Sequence, residues 1–171
     1  TSTESPFSGA NSLFIRFNSG AAMNDWAYTP ELQLTAGTNY RLTFMKKVSS
    51  DFYPENLEVA IGNGQAPALM TTQLIDLPGM ANETYEQVNV DFTVPATDAY
   101  FIGFHGYSEE NMFNILVDDV TVGFSPACIE PSAIVLDAVT DITAQFSWTS
   151  IGSATAWDVE YGEPGFVPGN G

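Results

Sequence analysis

Ala36-Gly37-Thr38-Asn39-Tyr40-Arg41-Leu42-Thr43-Phe44-Met45-Lys46-Lys47-Val48 decides the fold class. The first four residues are turn formers, because Gly and Asn tolerate the backbone angles of a tight reversal. From Tyr40 onward, apolar residues favour every second position, the period of a strand with one face in a core and not the 3.6-residue period of a helix. Outward from this stretch the texture repeats. Ser12–Asn18, Asn56–Ile61, Gln87–Val94, Ala99–His105 and Phe113–Val122 are short runs rich in β-branched and aromatic residues, punctuated by Gly, Pro, Asn and Asp. Pro95–Asp98 reads as a turn, Gly62–Pro67 as a loop and Pro78–Thr84 as an irregular connection, and only Ala66–Leu74 suits a helical turn. The expectation is an all-β protein, an antiparallel sandwich or jelly roll.

Composition bounds what such a chain can do. Its 171 residues include 12 Phe, 7 Tyr and 3 Trp, enough to bury a core without disulfides. Four Lys and Arg against 21 Asp and Glu give a formal net charge of -17, which repels phosphate backbones and anionic headgroups. Nucleic acid and anionic membranes are excluded as partners. No apolar run approaches the roughly 18 residues of a membrane span, so no membrane insertion is expected. The amino terminus lacks a basic-then-apolar leader, so Thr1 reads as a mature or excised start. Cys128 is the only cysteine, which rules out a disulfide or thiolate zinc site within these residues. It is either a small core residue or the partner of a cysteine outside them.

After Phe124 the texture changes. Ser125-Pro126-Ala127-Cys128-Ile129-Glu130-Pro131 is a proline-bracketed linker that predicts one domain over 1–125 and a second over 126–171. In the second, Ile134–Ala138, Thr143–Trp148 and Ala156–Tyr161 read as strands, too few to close a two-sheet core.

Four ordered blocks carry a resemblance. They are Asn24-Asp25-Trp26-Ala27-Tyr28-Thr29-Pro30 with Leu32–Phe44, then Pro54–Val59, then Tyr100–His105, and lastly Val117-Asp118-Asp119-Val120-Thr121-Val122. Over about residues 5–124 the chain resembles the cleaved-adhesin, or choice-of-anchor (MAM-like), jelly-roll family of secreted Bacteroidetes proteins. Ala27-Tyr28 departs from the larger apolar pair usual after the Trp, and the amino-terminal strand that often carries acidic calcium ligands is short. From Cys128 onward, Ala144-Gln145-Phe146-Ser147-Trp148 and Trp157-Asp158-Val159-Glu160-Tyr161-Gly162 are similar to the first half of a fibronectin type III repeat.

Chemistry is thin. His105 is the only histidine, so any Ser-His-Asp or Cys-His set would have to pass through it. Beside Gly103 and Phe104 it reads as a strand-end residue hydrogen-bonded locally, and no enzyme is expected. Asp118 shares parity with Leu116, Val120 and Val122, as Glu55 does with Leu57, Val59 and Ile61. If those faces point inward, each carboxylate must be paired or metal-bound. Two inward carboxylates with loop carbonyls suit calcium, which takes about six to eight oxygens, and the resemblance points the same way. Alternatives for Asp118 are capping a turn or accepting backbone N–H groups. Asp25 is a third candidate ligand, its alternative being an Asx turn before Trp26. Tyr53, Tyr85, Tyr107 and Phe113, in or beside loops, are candidate platforms for stacking a sugar.

The expected role is a non-catalytic adhesion or binding module of a larger secreted or cell-surface protein. It would be calcium-stabilised, engage an extracellular protein or glycan, and adjoin further domains of the same chain. The second reading is an accessory carbohydrate-binding domain of a secreted hydrolase or protease.

Overall fold

The computed structural model describes residues 3–126, 132–149, 156–157 and 159–162. The chain divides into two compact units, Thr1–Ser125 and Pro126–Gly171. The described residues of the first form β1 (Leu13–Arg16), β2 (Asp25–Tyr28), β3 (Leu32–Leu34), β4 (Tyr40–Val48), β5 (Glu55–Gly62), β6 (Thr72–Met80), β7 (Glu86–Phe92), β8 (Asp98–Gly106) and β9 (Asn114–Phe124), with a one-turn 3-10 helix at Pro67–Leu69. Two antiparallel sheets result. One has the order β1-β9-β4-β7; the other has β2-β8-β5-β6, with β3 also paired to β8. The all-β antiparallel sandwich expected from the sequence is what forms.

The two-residue period sets the layers. β4 buries Tyr40, Leu42, Phe44, Lys46 and Val48 and leaves the residues between them half exposed. Leu42, Phe44, Val48, Ile115 and Val117 face Leu57, Val59, Ile61, Ile102 and Phe104 in one apolar cluster. Phe44 and Phe104 meet edge to face across it, with ring centroids 5.3 Å apart.

Two strands depart from simple alternation. Asp118 pairs with Met45 and Thr121 with Thr43, so β9 carries one extra residue there, and Asp119 takes a φ of 46°. This bulge splits the parity of the strand. Ile115 and Val117 enter the core before it, Val122 packs on the core after it, and Asp118 faces the other way with Leu116. An inward Asp118 therefore does not occur. β6 runs through what the sequence reads as a turn and an irregular connection. It is an edge strand, where the missing N–H of Pro78 breaks no ladder, and Gly79 absorbs the kink with a φ of 65°. β2 and β3, also unforeseen, are short strands that follow one another along β8, against Gly103–Gly106 and Asp98–Tyr100.

In the second unit, β10 (Ser132–Val139) and β11 (Ala144–Thr149) form a two-stranded antiparallel sheet. The turn between them is closed by the Thr140 hydroxyl, which accepts from the Thr143 N–H at 2.9 Å. The rings of Trp148 and Trp157 meet edge to face at 5.7 Å. Ile134, Leu136, Val139 and Phe146 remain exposed. The described residues of Ala156–Tyr161 lie outside any strand, Asp158 lies outside the described residues, and so does Cys128.

Phe44→Ala should lower the unfolding free energy by about 3–5 kcal/mol in a urea titration, through lost burial and the cavity left behind. The exposed change Gln87→Ala should stay within about 0.5 kcal/mol.

Candidate functional site

The outward parity of β8 gathers chemistry on the exposed face of the five-stranded sheet. Its inner residues Tyr100, Ile102 and Phe104 are in the core, so Gly103 and His105 point out. Register then builds a row across four strands: Trp26 lies opposite His105, His105 opposite Glu58, and Glu58 opposite Asp76. Trp26 stacks on His105 at 4.2 Å with planes within 8°, and on Tyr28 at 5.9 Å. Gly103 makes room for it, since a Cβ there would lie 2.9 Å from Cζ3 of the indole and 2.9 Å from Sδ of Met70. Tyr107 continues the row of rings, 5.7 Å from His105.

Polar groups fix these rings. His105 Nδ1 lies 3.2 Å from Glu58 Oε2, and Nε2 lies 2.8 Å from Asn24 Oδ1. The Tyr107 hydroxyl donates to Asp76 Oδ1. Burial, that hydrogen bond and the charges of Asp76 and Glu58 push the Tyr107 phenol up to about 12. Tyr107 therefore keeps its proton throughout the physiological range. Glu58 and Asp76 are like charges directly opposite one another, an arrangement that costs a few tenths to about 1 kcal/mol.

The three carboxylates predicted as calcium ligands are not brought together. Glu55 is buried at the start of β5, where one oxygen accepts from the Phe113 N–H and the Ser108 hydroxyl lies beside the carboxylate. Its Oε2 has no hydrogen-bond partner. Glu55 thus ties the five-stranded sheet to the residue that leads into β9. Asp118 is five residues beyond Phe113, roughly 16 Å along a strand rising about 3.3 Å per residue, too far to share an ion with Glu55. Asp118 accepts instead from the N–H groups of Phe7 at 2.7 Å and Asp119 at 2.8 Å, the alternative that its parity left open. Asp25 is exposed at the head of β2, paired with Gly106. Among the described residues, no three His, Cys, Asp or Glu side chains converge as a metal-ligand set.

Of the predicted stacking residues, only Tyr107 joins the row. Tyr53 and Phe113 pack together at 5.9 Å, and Tyr85 packs on Phe7 at 5.4 Å. Trp26, Tyr28, Glu58 and Asp76 were missed as site residues. The outward parity of Glu58 and His105 was readable, but their alignment with Trp26 and Asp76 depends on register.

No protein-family model matches the sequence, and neither does any curated protein. Among solved structures, the chain is similar to the K3 cleaved adhesin domain of Lys-gingipain from Porphyromonas gingivalis W83, at 21% identity over 67% of this chain and 72% of that one, with a TM-score of 0.55. The K1 cleaved adhesin domain of the same protein is also 21% identical, over 67% of this chain and 75% of that one, with a TM-score of 0.52. The C-terminal family 22 carbohydrate-binding module of Clostridium thermocellum Xyn10B is 14% identical, over 75% of this chain and 81% of that one, with a TM-score of 0.53. At these identities the likeness is one of fold, and the cleaved-adhesin jelly roll expected from the four sequence blocks is the fold found.

Burial raises the Glu55 carboxyl above the ordinary glutamate range. A group raised on folding contributes stability that is complete below its unfolded pKa of about 4.3 and lost as pH rises through the folded value. Glu55→Gln cannot ionise, so its stability relative to wild type should increase from about pH 4 towards pH 8 in paired denaturation curves. A difference that shrinks with pH would contradict the assignment.

Proposed function

We propose that the first unit is a non-catalytic extracellular binding module that holds a glycan on the outer face of its five-stranded sheet. The observation that carries this is the row Trp26–His105–Glu58–Asp76 with Tyr28 and Tyr107, where half-buried rings and hydrogen-bonding groups lie together on the outer face, with Asp76 exposed. Sugars are recognised in that way, with ring faces meeting C–H groups and carboxylates or amides meeting hydroxyls. His105 is the sole histidine and both its nitrogens are already engaged, which favours a binding role over acid–base work. The folds it shares include a carbohydrate-binding module and adhesin domains, both of which serve attachment. A secreted or cell-surface location suits the acidity of the chain and that company. Among the described residues, no helix is long and apolar enough to cross a membrane.

Within the same proposal, the second unit is fibronectin type III-like, and its exposed Ile134, Leu136, Val139 and Phe146 offer an apolar surface for a facing sheet. Calcium belongs at Asp118 rather than Glu55. Asp119 adjoins it, and the Ser8 hydroxyl, which donates to Asp119, lies beside the pair. An ion there displaces N–H groups that Asp118 now accepts from.

A glycan array followed by calorimetry tests the face. Trp26→Ala or Tyr107→Ala should weaken the best ligand by about tenfold or more. An empty array, or an unchanged affinity in Trp26→Ala, would sink it. Calcium should raise the melting temperature of the wild type and not of Asp118→Ala. Equal melts with and without calcium remove the ion and leave the glycan face standing.

A further inference from the structure

We propose that this face selects a glycan bearing primary ammonium groups, an amino-sugar oligomer, over its neutral and acidic counterparts. The inference rests on reading the outer face as the ligand site, and it concerns which ligand that site takes.

Charge is divided between the two sheets. The whole cationic inventory, Arg16, Arg41, Lys46 and Lys47, lies on β1 and β4 of the four-stranded sheet. These groups are occupied there. Arg41 pairs with Asp91 at 2.8 Å, Lys46 donates to Glu86 at 2.7 Å and Asn82 at 2.6 Å, Lys47 donates to Ser5 Oγ at 2.8 Å, and Arg16 lies over the Phe17 ring. Lys46 comes nearest to the face, lining a surface cavity with Asp76 at the β6 edge, but Glu86 and Asn82 hold its ammonium. The five-stranded sheet carries Asp25, Glu55, Glu58, Asp76 and Asp98 and no Lys or Arg.

Two of these carboxylates are placed for a cation. Glu58 and Asp76 are cross-strand partners on the outer face. His105 engages only Oε2 of Glu58, and Tyr107 donates only to Oδ1 of Asp76, so Oε1 and Oδ2 stay open. Tyr107 is close enough to feel both charges. An ammonium has three N–H donors and no acceptor, so it can bridge both open oxygens while resting against the Tyr107 ring. That contact offsets the like-charge pair, beside which the sheet sets the His105 imidazole, against Glu58, and no Lys or Arg. An N-acetylated sugar supplies no charge there, and a uronate or sulfate adds a third anion.

The full 171-residue chain should be titrated by calorimetry at about pH 5.5, where amino sugars are protonated. The probes are a glucosamine tetramer, an N-acetylglucosamine tetramer, a galacturonate tetramer and tetralysine. The glucosamine tetramer should bind about tenfold or more tighter than its N-acetylated form, with no measurable galacturonate binding. That ratio should fall towards one in about 0.5 M salt and in the double variant Glu58→Gln, Asp76→Asn. Equal binding of the two hexosamine tetramers overturns the selectivity and leaves the glycan face intact. Tetralysine binding as tightly as glucosamine overturns it too, since charge alone would then suffice. Retention of no sugar removes the face itself, and the selectivity with it.

Discussion

The alternation of β8 is the constraint on which the rest of the first unit depends. This strand is paired with β2 and β3 on one side and, over Phe101–Gly106, with β5 on the other. It cannot slip by one residue without turning Tyr100, Ile102 and Phe104 out of the core and His105 into it. Burial of three large side chains therefore fixes the outer face as firmly as the inner one. Trp26 and Glu58 are aimed by their register with β8, and Asp76 by its register with Glu58. An outer face built this way is rigid, because the packing that stabilises the sandwich also holds its rings in place.

How much of this could be read in the sequence follows from the same physics. β4 was legible to the residue, since its apolar residues favour one parity, interrupted only by Lys46 and Met45, and a turn precedes it. The ends of β5, β7, β8 and β9 fell within two residues, as expected where capping signals are weak. β6 was not legible, because Pro78 and Gly79 argue against a strand unless it lies at an edge, and edge position is a tertiary fact. Asp118 failed for a related reason. Parity arguments assume an unbroken pleat, and the extra residue near Asp119 breaks it. Glu55 was the better case: its parity put it inward, and inward it lies.

The site was hardest to see because it belongs to no single segment. Its members come from β2, β5, β6, β8 and the Tyr107 beyond it, and a sequence shows which residues share a strand face but not which strands are neighbours. Besides the outward parity of Glu58 and His105, a signal available beforehand was charge. Four cations confined to the first 50 residues leave most of the chain without a counterion of its own, and the fold sets those cations on one sheet and leaves the strands of the other without Lys or Arg.

The most direct measurement of the central claim is the amide chemical-shift map of the isotopically labelled chain during titration with its best-bound glycan. The account predicts saturable shifts gathered at Trp26, Glu58, Asp76, Gly103, His105 and Tyr107, with the Trp26 indole N–H among them. Shifts centred instead on Tyr53 and Phe113, or on the β4 and β7 residues of the other sheet, would contradict it.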